Sequence, residues 1–422
     1  MPEMHRPHKV YSLQSVSWGL YDLANTIFSM NVVSLYFALW VVEDLGGDDL
    51  MVAAARSSAM LLIAVTMPFL GALSDFSGKR KPLILLFTII CVGFTAVLAF
   101  DASLIVYLLF FGIAVFGFQA GLVFYNALLP DVSPPGKEGK VSGMGVALGY
   151  VGSIAGMLAI RPFVGTGAEF SRQAAFLPTA VLFLIFAIPL FLFVKEKRIV
   201  EKRPMPPVKE LFLQPYRIFK SSSGFPSVRR FLIGRFFVVE AMETVISFMA
   251  VFVVFVGGFN QKRTVAAGMD EVMFFMVIAT VFAVIGSFIW GIAADRIGAA
   301  KALKLCVLLW VVTLFIALVN PLKELFWLVG PLAGIGLGGV WTTDRAWLIN
   351  TVPLERRAEF FGLYALSGRL AAVIGPLLWG ISVRFGEPLG DFKYRIAVGT
   401  IFLLMLIGYL ILLRLPPEGR DV

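Results

Sequence analysis

Histidine and cysteine are nearly missing from this chain, two of each in 422 residues, and charged side chains make up only 15% of it. So few thiols and imidazoles exclude a disulfide framework and a His/Cys metal centre. Both cysteines, Cys91 and Cys306, lie within apolar stretches, where a thiol acts as a small packing group. The histidines, His5 and His8, precede the first such stretch, so neither titrates inside one. Also missing are a nucleotide-binding loop, a nucleophile arrangement and any metal-ligand spacing, and neither an enzymatic activity nor a cofactor is expected. The Gly-x-Gly strings between Gly334 and Gly339 fall inside a long apolar run, where glycines serve close helix packing. With 59% hydrophobic residues, the scarcity of charge excludes an ordinary soluble domain.

What is present is a series of long apolar runs, each suited to crossing about 30 Å of hydrocarbon as a helix. Twelve are predicted, near 16–42, 52–75, 82–100, 103–130, 140–162 and 174–194, then 228–256, 269–293, 301–319, 324–352, 359–383 and 392–414. Continuous apolar runs do not fit the alternating strands of a barrel, so the expected fold class is an all-α membrane protein. Lys and Arg gather at the N-terminus, the even-numbered loops and the C-terminus, which predicts that this side is cytoplasmic. Acids such as Glu43, Asp44, Asp48 and Asp49 lie on the other side. The net charge of +9 therefore reflects topology in a bilayer, and no nucleic-acid partner is expected, because the basic residues form no single stripe.

The chain also repeats itself. GALSDFSGKRK from Gly71 returns as GIAADRIGAAK from Gly291, which sets Asp75 on Asp295 and Gly78 on Gly298 at an interval of about 220 residues. A second pair, beginning at Leu128 and Trp347, places Pro134 on Pro353 and Gly149 on Gly368. Two homologous six-helix bundles follow: residues 1–194 and 228–422, joined by a basic, proline-containing linker over 195–227. Within the linker, Val208 to Phe219 reads as a short amphipathic helix lying on the membrane face.

The first repeat resembles the signature of the major facilitator superfamily at the turn between helices 2 and 3. In that pattern Gly78, Lys79 and Arg80 shape and hold a cytoplasmic turn, while Asp75 faces the N-terminus of a helix near Glu359 as a gate latch. The copy at Asp295 and Arg296 is degraded, because Ala299 and Ala300 replace two basic residues, so a weaker latch is expected there. A narrower resemblance is carried by Tyr21-Asp22-Leu23-Ala24-Asn25-Thr26, by Tyr125-Asn126-Ala127-Leu128-Leu129-Pro130-Asp131, by Ala147-Leu148-Gly149-Tyr150, and by Arg357 to Gly368. These strings are similar to the autophagy-related vacuolar effluxer branch of that superfamily, which has bacterial members of this length. The resemblance implies a secondary transporter, with amino-acid efflux the function attached to fungal members. Two features depart from the branch pattern: Glu243 stands where an Asn is usual, and helix 10 carries the charged pair Asp344-Arg345.

Seven ionisable residues within the predicted spans are singled out: Asp22, Arg235, Glu240, Glu243, Asp344, Arg345 and Arg369. Each is costly in lipid, so each is expected to face a cavity or a partner. Glu240 and Glu243, three apart on one helix face, form an arrangement for taking up a proton, with fixed ion pairing to Arg235, Arg345 or Arg369 as the alternative. Asp22 and Asn25 are expected at a cavity, with Tyr125, Asn126 and Tyr150 lining it or bridging helices. Arg345 and Arg369 suit a carboxylate of the cargo. The expected function is alternating-access transport of a small polar or zwitterionic solute, amino-acid-like and proton-coupled, by a monomer in a bacterial inner membrane. Two alternatives are an exporter of amphiphilic or drug-like molecules, suggested by the abundant Phe and Met, and a non-transporting receptor or scaffold on the same fold.

Overall fold

A computed structural model of the chain describes residues 11–77, 79–134, 138–196, 225–266, 268–352 and 357–416, with positions 207, 210 and 213 between them. Twelve principal helices are present among the described residues. They are α1 (Leu13–Asp44), α2 (Asp49–Ser77), α3 (Lys81–Val97), α4 (Leu104–Ala127), α5 (Glu138–Val164), α6 (Phe176–Phe193), α7 (Pro226–Phe255), α8 (Glu271–Ile297), α9 (Ala299–Val319), α10 (Lys323–Thr351), α11 (Arg357–Phe385) and α12 (Phe392–Leu412). Eleven are long and apolar enough to cross a membrane, and α3 is a shorter apolar helix. Apart from Glu210 and Leu213, the predicted amphipathic linker helix lies outside the described residues, as do Gly78 and the side chains of Asp75 and Glu359.

Contacts group the chain into two compact units. The first holds residues through Tyr36, Val65–Gly165 and Ser171–Val208; the second holds Phe37–Ala64, Thr166–Phe170 and Lys209–Val422. α1 passes from the first to the second where its backbone widens into π-helical turns over Ser29–Tyr36. The first half of α2, through Ala64, thus belongs to the second unit and contributes to the site described below.

Lipid tails are as apolar as the helix surfaces, so cohesion rests on close packing and polar contacts. In the first unit α1 packs on α5 and α6, and α3 on α4 and α6; in the second, α7 packs on α11 and α12, and α9 on α10 and α12. The repeat in sequence is thus a repeat in packing. Glycines set the closest approaches. A Cβ at Gly334 or Gly338 of α10 would run into the carbonyl oxygens of Ala279 and Ala283 on α8, which explains the glycine strings. Both cysteines are free and buried, as packing groups are.

The turns show what the repeated signature does locally. Gly298 ends α8 at φ 87°, a left-handed conformation that favours glycine, and it is the copy of Gly78. In the first copy Arg80 pairs with Asp131 at 3.2 Å, and its backbone N–H donates to Glu196. Lys81 donates to the carbonyls of Phe191 and Val194, where the end of α6 leaves acceptors unsatisfied. Asp295 and Arg296 are exposed at the end of α8, and Lys79 is exposed as well.

Candidate functional site

α7 is the most enclosed helix of the second unit, with 78% of its apolar window buried, yet it carries three ionisable residues at Arg235, Glu240 and Glu243. Those residues organise polar side chains from α2, α10, α11 and α12 into three tiers along the helix.

The first tier is built around Arg235 and Asp344. Arg235, 3% exposed, donates from Nε to Asp344 at 2.8 Å, and from Nη1 to the Tyr364 carbonyl at 3.2 Å and Ser367 Oγ at 3.1 Å. Its guanidinium lies 3.6 Å from the centroid of the Tyr364 ring, and the Tyr364 hydroxyl donates to the same Asp344 oxygen at 2.8 Å. Gly368 packs against this cation, where a Cβ would sit 3.4 Å from Nη1, in ordinary contact. The guanidinium thus has a carboxylate, a carbonyl, a hydroxyl and a ring face around it, while the second Asp344 oxygen is buried with no hydrogen-bond partner among the described residues. Arg345, on the outer side of α10, is exposed and reaches the Tyr364 hydroxyl.

In the second tier the two glutamates go to different partners. Glu240, 1% exposed, accepts the Gly375 N–H on one oxygen, while its other oxygen is buried with no hydrogen-bond partner among the described residues. Pro376 follows Gly375 inside α11, where a proline removes one helical hydrogen bond and loosens the turn before it. Glycine is needed as well, because a Cβ at 375 would meet Glu240 and Thr244. Glu243 pairs with Arg56 of α2 at 2.8 Å; Arg56 also donates to the Glu243 carbonyl at 3.1 Å and to Ser247 Oγ. Arg369 of α11 is half-buried, with Glu243 as the charge that acts on it, and makes no hydrogen bond or ion pair among the described residues.

The third tier lies toward the other end of the helices. Asp49, the first residue of α2, is 1% exposed and accepts from Trp379 Nε1 at 2.9 Å and from the Tyr394 hydroxyl at 3.4 Å. Ser57 Oγ donates to the Val373 carbonyl at 2.6 Å, and Asp48 lies 3.6 Å from Arg384.

The first unit has a mostly uncharged counterpart. Trp18 stacks on Tyr125 with centroids 4.5 Å apart and donates to the Tyr125 carbonyl at 3.1 Å, and Tyr21 bonds Thr88 at 2.7 Å. Asn25 is buried with both amide atoms unpartnered among the described residues, as are the Tyr125 hydroxyl and the Gln119 carbonyl oxygen. Asp22 and Tyr150 are half-buried, and Asn126 is exposed.

Several sequence expectations are changed by this geometry. The seven predicted intramembrane charges omit Arg56, which is 4% exposed inside α2, and Arg161, 6% exposed inside α5. Asp49 was expected among the loop acids, but it is buried. Arg56 had a legible signal, a guanidinium within an apolar run; Asp49 had none, because its burial comes from Trp379 and Tyr394 more than 300 residues away.

A family profile described as vacuole effluxer Atg22 like matches residues 50–136 and 135–418. The MFS-type transporter YxiO of Bacillus subtilis (strain 168) is 27% identical over 429 residues, covering 97% of this chain and 96% of that one. A gentisate transporter of Corynebacterium glutamicum is 26% identical over 367 residues, covering 85% and 78%. Among solved structures, the nucleoside transporter NupG superposes with a TM-score of 0.70 at 15% identity, over 96% of this chain and all of that one, which identifies the fold as that of the major facilitator transporters.

Proposed function

The chain belongs to the vacuole effluxer Atg22-like family of major facilitator transporters, and from that premise we propose that it carries a small polar or zwitterionic, amino-acid-like solute by alternating access, coupled to protons. It is an integral membrane transporter and not an enzyme. The observation that carries the finer reading is the second tier. Two carboxyls and two guanidiniums are set into apolar helices, and one carboxyl oxygen is left without a partner. Charged groups are retained inside a membrane span where they serve a solute or proton path.

On this reading the halves 1–194 and 228–422 rock about a midplane site. The turns at Asp75, Gly78, Lys79 and Arg80, and at Asp295 and Arg296, with Glu359, act as a gate on the cytoplasmic side. Both termini are cytoplasmic, the membrane is a bacterial inner membrane, and the working unit is a monomer. Asp22, Asn25, Tyr125, Asn126 and Tyr150 complete the solute site from the first half. Uptake of labelled leucine into proteoliposomes under an imposed pH gradient tests the proposal. Accumulation that collapses with a protonophore is expected, and absence of both flux and pH-gradient dependence would remove it. A second reading, an aromatic carboxylate as cargo, is favoured by Arg369, which makes no hydrogen bond or ion pair among the described residues, and by the gentisate transporter among the relatives.

A further inference from the structure

Asp49 is a buried carboxyl without a cation. It is the first residue of α2, it is 1% exposed, and it enters no ion pair among the described residues. Its two oxygens meet neutral groups from two other helices: Trp379 Nε1 of α11 donates to Oδ1 at 2.9 Å, and the Tyr394 hydroxyl of α12 lies 3.4 Å from Oδ2. Phe248 stacks on Trp379 and Phe255 on Tyr394, so rings of α7 pack on both partners. The charges nearby are engaged elsewhere. Asp48 lies 3.6 Å from Arg384 and accepts the Met51 N–H; Lys393 lies 3.5 Å from Glu387 and over the Tyr394 ring; Asp391 acts on Tyr394. Of these groups, Lys393 favours the Asp49 carboxylate and Asp48 opposes it. Beside Asp49 the backbone of α2 crosses α11 closely, since a Cβ at Gly380 would fall 2.6 Å from the Leu50 Cα, and Ser57 donates to the Val373 carbonyl. The start of α2 is thus clasped to α11 and α12, with Asp49 inside the clasp.

We propose that Asp49 is a proton-binding site at the outer end of the bundle, and that the clasp of α2 on α11 and α12 closes over the neutral acid and releases when that proton leaves. The inference rests on the transporter reading above and adds to it a proton site apart from Glu240 and Glu243. Taking an ionised carboxyl out of water without a cation costs more than two neutral donors return, the more so when one of them stands 3.4 Å away. The neutral acid keeps both contacts. Trp379 Nε1 is a donor only and still finds the carbonyl oxygen at Oδ1, while the Tyr394 hydroxyl accepts as well as donates and turns to receive the proton carried on Oδ2. Closing the clasp therefore favours the acid, and opening it to water favours the carboxylate. By linkage the closed form gains as pH falls and loses as pH rises. In the orientation proposed above, a proton taken from outside while the clasp is open is trapped when it shuts.

The full-length protein in lipid nanodiscs, spin-labelled through Met51→Cys on α2 and Phe385→Cys at the end of α11, reports the clasp as a distance in pulsed electron paramagnetic resonance. Met51 and Phe385 are exposed, and the native thiols of Cys91 and Cys306 are buried. Between about pH 5 and about pH 8 a short distance should give way to a longer one. Asp49→Asn, a mimic of the neutral acid whose amide serves both partners, should hold the short distance throughout. Lys393→Gln removes the cation that favours the carboxylate and should move the changeover up by about half a pH unit or more. That shift carries the test if Asp49→Asn does not fold. A distance that ignores pH, a wild-type pH response in Asp49→Asn, or an unmoved changeover in Lys393→Gln would overturn the proton site. Leucine uptake driven by a pH gradient in a protein whose clasp ignores pH would overturn this inference and leave the transporter reading standing. A clasp that follows pH through Asp49 in a protein that moves no solute would support the site and remove that reading.

Discussion

The seam between α1 and α5 in the first unit and the seam between α7 and α11 in the second are copies with different contents. An offset of 218 to 219 residues sets Ser17 on Arg235, Asp22 on Glu240, Asn25 on Glu243, Tyr125 on Asp344, Gly149 on Gly368, Tyr150 on Arg369 and Gly156 on Gly375. Both seams use glycine for close approach: a Cβ at Gly152 would fall 2.7 Å from Leu23, and one at Gly375 would strike Glu240. In the first seam the contact is then closed by a neutral bond, Thr26 Oγ1 to the Gly149 carbonyl at 2.7 Å, and by the Trp18–Tyr125 stack. In the second it is closed by carboxyls and guanidiniums. The shared glycines define how helices meet, and the substituted polar positions define which half holds charge.

The largest break in this comparison should come from the Arg235–Asp344 pair, which the first seam replaces with Ser17 and Tyr125. Asp344→Ala leaves a guanidinium buried without its carboxylate, and a loss of about 3–5 kcal/mol is expected in chemical or thermal unfolding in detergent. The double variant Arg235→Met with Asp344→Leu should recover much of it; a double variant as unstable as the single would show that the pair does more than cancel its own burial.

A smaller effect separates the two glycine positions. Gly375→Ala presses on backbone and on the Glu240 carboxyl, so about 1–3 kcal/mol is expected, together with altered transport. Gly156→Ala meets side-chain atoms only, Ile27 Cγ1 at 2.9 Å and Asn31 Nδ2 at 3.1 Å, with no backbone atom among the near contacts. Its cost should be near the bottom of the same range, about 1 kcal/mol. Unfolding midpoints of the two variants side by side check the ordering, and equal losses would argue against a strained fit at Gly375.

Smallest of all is the threonine pair. Thr26→Val removes an interhelical bond to Gly149 and should cost about 0.6 kcal/mol, as intramembrane hydrogen bonds average. Thr244→Val removes only a bond to its own helix at Glu240, and no measurable loss is expected.

Much of the architecture was legible before any coordinates. Apolar runs located twelve helices because hydropathy is a local property, and Gly298 could be assigned to a tight turn from its repeat. The expected small-residue packing of α10 is realised at Gly334 and Gly338. The candidate site was less legible. Glu240 and Glu243 were readable as a pair three residues apart, but they turn to different partners, because α11 presents a loosened N–H at Gly375 and α2 presents Arg56. Asp49 looked like a loop acid, and only the Trp379 and Tyr394 side chains make it a buried one.

By itself, the sequence determined the number of crossing helices, their repeat and the glycine spacing of the seams, since each depends on residues within a few turns of one another or on direct copying. Tertiary structure alone decided the charge pairing. Arg56 and Glu243 stand 187 residues apart and Arg235 and Asp344 stand 109 apart, and nothing local distinguishes a guanidinium that will find a carboxylate from one, like Arg369, that pairs with none among the described residues.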